Sequence, residues 1–312
     1  MTLFDDNPLN PPDENLHPQS SPDHPAEATP PEPFAAPLAG DPISYAAVTP
    51  AAQANSSLPE DLRISWSWLH LLVFVVFGVV SQLAIGIVLI AYFSADGHLT
   101  QKQLKQLFES DPRLIVGTNV LWFALIFLFL YVTLSVLRGL PFWQTLGWKK
   151  LNSGPIGGKG SPWMYFFSGC GLAIFVAIAS SRVKNVEHVP IQELFKSRTG
   201  AILLMAMAVF VAPLVEETIF RGYLYPLFAK SLGVLPGILI TGVLFGLMHG
   251  AQLGWSWGLV ALLTLVGVIF TFVRARTGTV VASFLLHLGY NSMIAFTSII
   301  ATKGFTQMPP HS

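Results

Sequence analysis

The stretch "APLVEETIFRGYLYPLF", residues 212 to 228, sets two adjacent carboxylates, Glu216 and Glu217, at the end of a run of apolar residues, with Arg221 one helical turn later. Charges at membrane depth are costly unless something compensates them. On a helix, Glu217 and Arg221 stand four apart on one face, in the favourable order for an ion pair. Glu216 lies about 100° around the same helix and has no partner in its own segment. Spacing alone therefore divides the pair. Glu217 is explained by Arg221, while Glu216 is left at membrane depth, where desolvation tunes a carboxylate toward the work of a general base near neutral pH.

The surrounding chain is of membrane type. Of its 312 residues 52% are hydrophobic and only 11% charged, with no net charge, against about a quarter charged in an ordinary soluble domain. The charge balance gives no reason to expect a nucleic-acid partner. The one cysteine, Cys170, excludes an intramolecular disulfide and a cysteine-cluster metal site, and in "FFSGCGLAIF" it reads as a small packing residue.

Seven apolar stretches are expected to be membrane helices: Leu69–Phe93, Leu114–Leu137, Trp163–Ser180, Gly200–Val215, Leu232–His249, Trp257–Val273 and Thr279–Ile300. The fold class is thus all-α, a polytopic integral membrane helical bundle of about seven spans. Trp66 and Trp68 are expected in the interfacial aromatic belt, with His70 beside them and without a role in chemistry. The third span is rich in small residues suited to close packing, and Gly278 and Ala282, four apart, read as a second close-packing seam. "TQKQLKQLFES" (100 to 110) and "VPIQELFKS" (189 to 197) each place three apolar residues on one face, as interfacial helices do.

Four regions follow. Residues 1–62 hold 13 of the 23 prolines and ten acidic residues, and no Lys or Arg precedes Arg63; this composition predicts a disordered tail with no secretory signal. Residues 63–199 carry the first spans and interfacial helices, residues 200–302 the polar membrane motifs, and 303–312 a C-terminal tail. Lys230, Arg274 and Arg276 share one side of the bundle, whereas "GAQLGWS" (250 to 256) on the other has no positive charge. The positive-inside rule then favours a cytoplasmic N-terminus, in a membrane compatible with the bacterial inner membrane.

Glu216 and Glu217 are the only acidic residues between 200 and 302. The next span contains "FGLMH", with Phe245 and His249 four apart; the last contains "HLGYN", with His287 and Asn291 four apart. Three helices each bring a polar group to membrane depth, where they can satisfy one another around a water-filled cavity. Amide hydrolysis needs a base, a water and donors aimed where negative charge develops, and these residue types supply them. No serine stands in a nucleophile-elbow pattern and Cys170 is remote, so water is the expected attacker. Two other readings use the same residues. Glu216, His249 and His287 are the possible ligands of a His₂Glu zinc protease, although H-E-x-x-H is absent and Asn291 would have no task. A non-catalytic scaffold, an immunity protein or a proton relay also places Glu and His inside a membrane.

In order, "EETIFR" (216 to 221), "FGLMH" (245 to 249) and "HLGYN" (287 to 291) resemble the three motifs of the CPBP family, Glu-Glu-x-x-x-Arg, Phe-x-x-x-His and His-x-x-x-Asn/Asp. That family comprises CAAX prenyl endopeptidases of the Ras-converting-enzyme type and the bacterial Abi proteins linked to bacteriocin processing and immunity. The resemblance covers about residues 200 to 300. It implies an intramembrane glutamate protease, without a metal cofactor, acting on a membrane-embedded or lipid-anchored protein or peptide among membrane lipids. On this resemblance Glu216 activates the water with His249, and His287 and Asn291 stabilise the oxyanion. Glu217 and Arg221 support Glu216, and Phe245 packs beside His249.

Overall fold

The structure, a computed structural model, describes residues 59–95, 100–151, 160–183 and 197–306. The expected disordered tail, up to residue 58, and all but the last residue of the second interfacial helix lie outside these residues. Among the described residues every regular element is helical: α1 (Trp68–Ala95), α2 (Gln101–Ser110), α3 (Pro112–Val136), α4 (Pro162–Ser180), α5 (Arg198–Leu232), α6 (Val234–Met248), α7 (Trp257–Thr277) and α8 (Val280–Ala301). Six are long and apolar enough to cross a membrane. The exception besides the surface helix α2 is α6, whose 15 residues make about 22 Å, short of a hydrocarbon core of about 30 Å. The chain is an integral membrane protein built as a helical bundle.

Helix starts follow local chemistry. Thr100 and Gln103 form a reciprocal capping box at the head of α2. The Asp111 carboxylate accepts from the backbone N–H groups of Arg113 and Leu114, with Pro112 in the first turn of α3. Short connections fold the later helices back on one another. Gly233 (φ 97°) ends α5 and starts α6, and Gly278 (φ 70°) ends α7 two residues before α8. Both positions have the positive φ that glycine adopts without strain.

The fourth span is the largest departure from expectation. It does not stop at Val215 but runs on as α5 for 35 residues, so Glu216 and Glu217 sit in mid-helix and not at its end. Two π-helical turns, Met207–Val211 and Glu217–Leu224, make this possible. Each precedes a proline, Pro213 or Pro226, and a widened turn absorbs the missing N–H where a regular helix would break.

Two packing expectations are corrected. Trp66 is 2% exposed and does not face an interface. Its indole stacks on Tyr223 at 5.4 Å and donates to the Tyr223 carbonyl, within the widened turn, at 3.1 Å. Trp68 remains half-exposed, and His70 shares a hydrogen bond of 2.6 Å with the Tyr223 hydroxyl. The segment around Trp66 straps the end of the bundle. Lys230 donates to the Ile64 carbonyl, Arg274 pairs with Asp61 at 2.8 Å, and Lys149 pairs with Glu60 at 2.5 Å. The Lys149 ammonium holds the Glu60 carboxyl below the usual carboxylate range.

The third span packs closely as expected, but the second seam lies elsewhere. Gly278 is the turn before α8, outside any helix. The closest helix approach is between α4 and α8, where a Cβ on Gly169 would stand 1.9 Å from the Leu286 carbonyl oxygen and one on Gly289 would stand 1.9 Å from that of Phe166. Cys170 packs at the same crossing, its sulfur 3.4 Å from the Gly289 carbonyl. Side chains cannot be inserted there without separating the backbones, at about 1–3 kcal/mol or more. Gly289→Val should therefore lower the unfolding temperature in detergent markedly. Gly171→Val, at a position with open space around it, should leave it within a degree or two of wild type.

Candidate active site

The centre of the bundle is charged. Glu217 and Arg221 are completely buried and pair through Oε1 and Nη1 at 2.9 Å, as the spacing predicts. A buried pair survives only when desolvation is offset by further contacts, and three kinds are present. Arg221 Nη2 donates to the Gly267 carbonyl of α7 at 3.0 Å. Its guanidinium lies 4.5 Å from the ring centre of Phe245 and 5.3 Å from that of Phe270, with Phe220 alongside. Finally, His287 Nδ1 lies 3.0 Å from the same Glu217 Oε1. One ion pair thus ties α5 to α7 and α8, and through Phe245 to α6.

These contacts fix the histidines. A carboxylate only accepts, so His287 donates from Nδ1 and turns Nε2 away from Glu217. His249 follows the same logic at the C-terminal end of α6. The backbone N–H of His249 bonds to the Gly246 carbonyl, and its Nδ1 donates to the Phe245 carbonyl at 2.8 Å. Helix ends leave such carbonyls unpaired, and here the side chain caps one. Both Nε2 atoms then converge on Glu216, His249 Nε2 on Oε1 and His287 Nε2 on Oε2, each at 3.8 Å. In the neutral rings these Nε2 atoms are acceptors.

Asn291, one turn beyond His287, donates from Nδ2 to the Ala208 carbonyl at 2.7 Å. In the widened turn Ala212 N–H bonds to Met207, so the partner due to Ala208 is the N–H that Pro213 lacks. The proline creates the acceptor and Asn291 takes it, which orients the rest of its amide.

Glu216, His249, His287 and Asn291, with Phe245, line one cavity of about 490 Å³. Its remaining walls are mostly apolar and come from α3 to α8, including Phe123, Val176, Leu204, Leu262 and Val266. Glu216 and His249 are partly accessible, at 15% and 19% of their side-chain surfaces, whereas His287 is nearly enclosed. All four expected catalytic residues share this cavity, with Glu217 and Arg221 behind them. Phe270, whose ring centre is 4.7 Å from that of His287, and the lining residues Asn119, Ser180 and Gln252 had no motif to mark them. Only the prolines 213 and 226 signalled the widened turns in the sequence.

A zinc ion fits these residues poorly. The histidines face different oxygens of Glu216 at 3.8 Å, against roughly 3.3 Å between neighbouring ligands when zinc bonds are 2.0–2.1 Å long. No group of three His, Cys, Asp or Glu among the described residues stands at metal-binding spacing.

Comparison with known proteins agrees with the motif positions. Residues 198–293 match a family described as Type II CAAX prenyl endopeptidase Rce1-like, a protease family and part of the CPBP group. The match spans α5 to α8 and includes every residue of the constellation. No curated protein and no solved structure matches the chain.

Removing one partner of the central pair leaves a buried charge, which costs about 3–5 kcal/mol. Arg221→Met should therefore unfold the protein at a much lower temperature than wild type. The double substitution Glu217→Leu with Arg221→Met should recover part of that loss, as measured by thermal unfolding in detergent.

Proposed function

We propose that this Rce1-like protein is an intramembrane endopeptidase that hydrolyses a peptide bond of a membrane-embedded or lipid-anchored protein or peptide, using a water activated by Glu216. The observation that carries the reading is the convergence of Glu216 and two oriented Nε2 atoms in a mostly apolar cavity.

A separation of 3.8 Å exceeds a direct hydrogen bond and is one that a shared water spans at about 2.8 Å to each side. A water between Glu216 Oε1 and His249 Nε2 gives one proton toward each acceptor. As its oxygen attacks the substrate carbonyl carbon, Glu216 takes one proton and His249 holds the other O–H in place. The carbonyl oxygen becomes an oxyanion. The remaining N–H of Asn291 can donate to it, as can His287 Nε2 when that ring carries both protons. Glu217 then acts on the histidine as the third member of a triad acts on its base, fixing tautomer and direction. Collapse of the tetrahedral intermediate breaks the C–N bond, and the proton held by Glu216 passes to the leaving nitrogen.

No step requires a metal, and the chain contributes the base, the water-holding group and the oxyanion donors. Under the cytoplasmic placement of the N-terminus favoured by the late loops, the cavity opens on the outer half of the bundle. Purified protein in lipid vesicles should cleave apolar peptides in the presence of a zinc chelator. Glu216→Gln should abolish cleavage without lowering the unfolding temperature. Asn291→Ala should lower kcat by about 10²–10³, the usual effect of removing one oxyanion donor. Cleavage that survives Glu216→Gln, or that stops on chelation, contradicts the reading.

A further inference from the structure

Between Leu114 and Leu130, α3 carries two hydrogen-bonding side chains besides the indole of Trp122, and these are Thr118 and Asn119. At 1.5 Å per residue, Asn119 stands about 10 Å from the start of the helix. A polar side chain at that depth is costly and calls for a reason.

Its contacts within the protein do not supply one. Asn119 Nδ2 donates to the Ile115 carbonyl, four residues back on its own helix, at 2.8 Å. That carbonyl also accepts the helical N–H of Asn119 and, at 3.0 Å, the Thr118 hydroxyl. A carbonyl oxygen has two lone pairs, so the amide is a third donor to an acceptor already supplied. The bond joins α3 to no other helix. What it does is fix the amide. Only the nitrogen of that group can donate to a carbonyl, so Nδ2 is turned back along α3 and Oδ1 is the opposite end.

This face of α3 looks into the cavity. Asn119 and Phe123, one turn apart, both line it, together with Glu216 and Asn291. Asn291 is held in the same manner, through one N–H given to the Ala208 carbonyl, and keeps its second N–H for an oxygen. The two amides are complementary: Asn291 on α8 offers a donor, and Asn119 on α3 offers an acceptor. An unwound peptide at membrane depth has both C=O and N–H groups to satisfy.

We propose that Asn119 is a substrate-binding residue whose Oδ1 accepts a backbone N–H of the bound peptide, which is thereby held between α3 and α8. This deepens the peptidase reading and rests on it. The bond is made in the ground state and the transition state alike, so it lowers KM and leaves kcat nearly unchanged. Asn291, as an oxyanion donor, acts on kcat instead.

The test uses full-length protein in phosphatidylcholine vesicles and synthetic 16-residue peptides of Ala, Leu, Met and Ser, made with and without one farnesylated cysteine. A peptide cleaved by wild type and not by Glu216→Gln is selected, and its cut bond is located by mass spectrometry. Each backbone amide near that bond is then replaced in turn by an ester, which removes one N–H. At one position the ester should lower kcat/KM about tenfold with wild type, the scale expected when a buried acceptor is left unpaired. Asn119→Leu should cause a loss of about tenfold with the all-amide peptide, carried by KM, with kcat within about threefold of wild type. In that variant the ester at the same position should cost less than about threefold more, because both changes remove one bond. Esters elsewhere should have equal effects in the two proteins. Asn119→Ala, with a smaller side chain, should give the same pattern, which separates a lost bond from a clash. Wild-type kinetics in both variants, or ester effects that multiply with the substitution at every position, overturn the proposal and leave the peptidase reading standing. Absence of any Glu216-dependent cleavage across the set overturns both.

Discussion

The buried pair of Glu217 and Arg221 is the constraint on which the rest of the core depends. Two opposite charges at membrane depth, both fully enclosed, persist only if every neighbour contributes to their solvation. That demand explains the Gly267 carbonyl turned toward Arg221, the rings of Phe220, Phe245 and Phe270 around the guanidinium, and His287 bonded to Glu217. Meeting it brings α6, α7 and α8 against the middle of α5. The same contacts that stabilise the pair orient His287, so Glu217 sets the direction of the ring that faces Glu216.

The two prolines of α5 serve the site in different ways. Widened helical turns let the helix pass Pro213 and Pro226 without ending, and in each a backbone carbonyl accepts from a side chain of another segment. Asn291 takes the Ala208 carbonyl, which aligns α8 with the cavity. Trp66 takes that of Tyr223, which ties the strap before α1 to the turn that contains Glu217 and Arg221. The site is thus held from within by the ion pair and from outside by side chains bonded to carbonyls of the two widened turns.

Much of this was legible in the sequence because it rests on short-range spacing. Four-residue intervals place Glu217 with Arg221, Phe245 with His249, and His287 with Asn291, and a helix preserves those intervals wherever it packs. The apolar runs likewise marked the membrane helices. What escaped depends on contacts between distant segments or on departures from regular geometry. The length of α5 escapes the sequence because one widened turn carries two charges and each turn is followed by a proline, which together imitate a helix end. Trp66 looked interfacial because tryptophan often is, but its partner lies 157 positions away. The small residues of the third span marked the helix that holds Gly169 for close packing, but its partner is Gly289 and not Gly278 or Ala282, since only the fold decides which glycines face each other. The link between Glu217 and His287 spans 70 positions, beyond the reach of any motif.

The central claim is that Glu216 is the base of a working peptidase while Glu217 is the brace that positions the site. It is tested most directly by comparing, through quantitative proteomics, the membranes of cells expressing wild-type protein with those of cells expressing Glu216→Gln at equal abundance. The account predicts an uncleaved membrane-associated precursor that accumulates only with Glu216→Gln. Identical peptide profiles in the two membranes, with the protein folded in both, would contradict it.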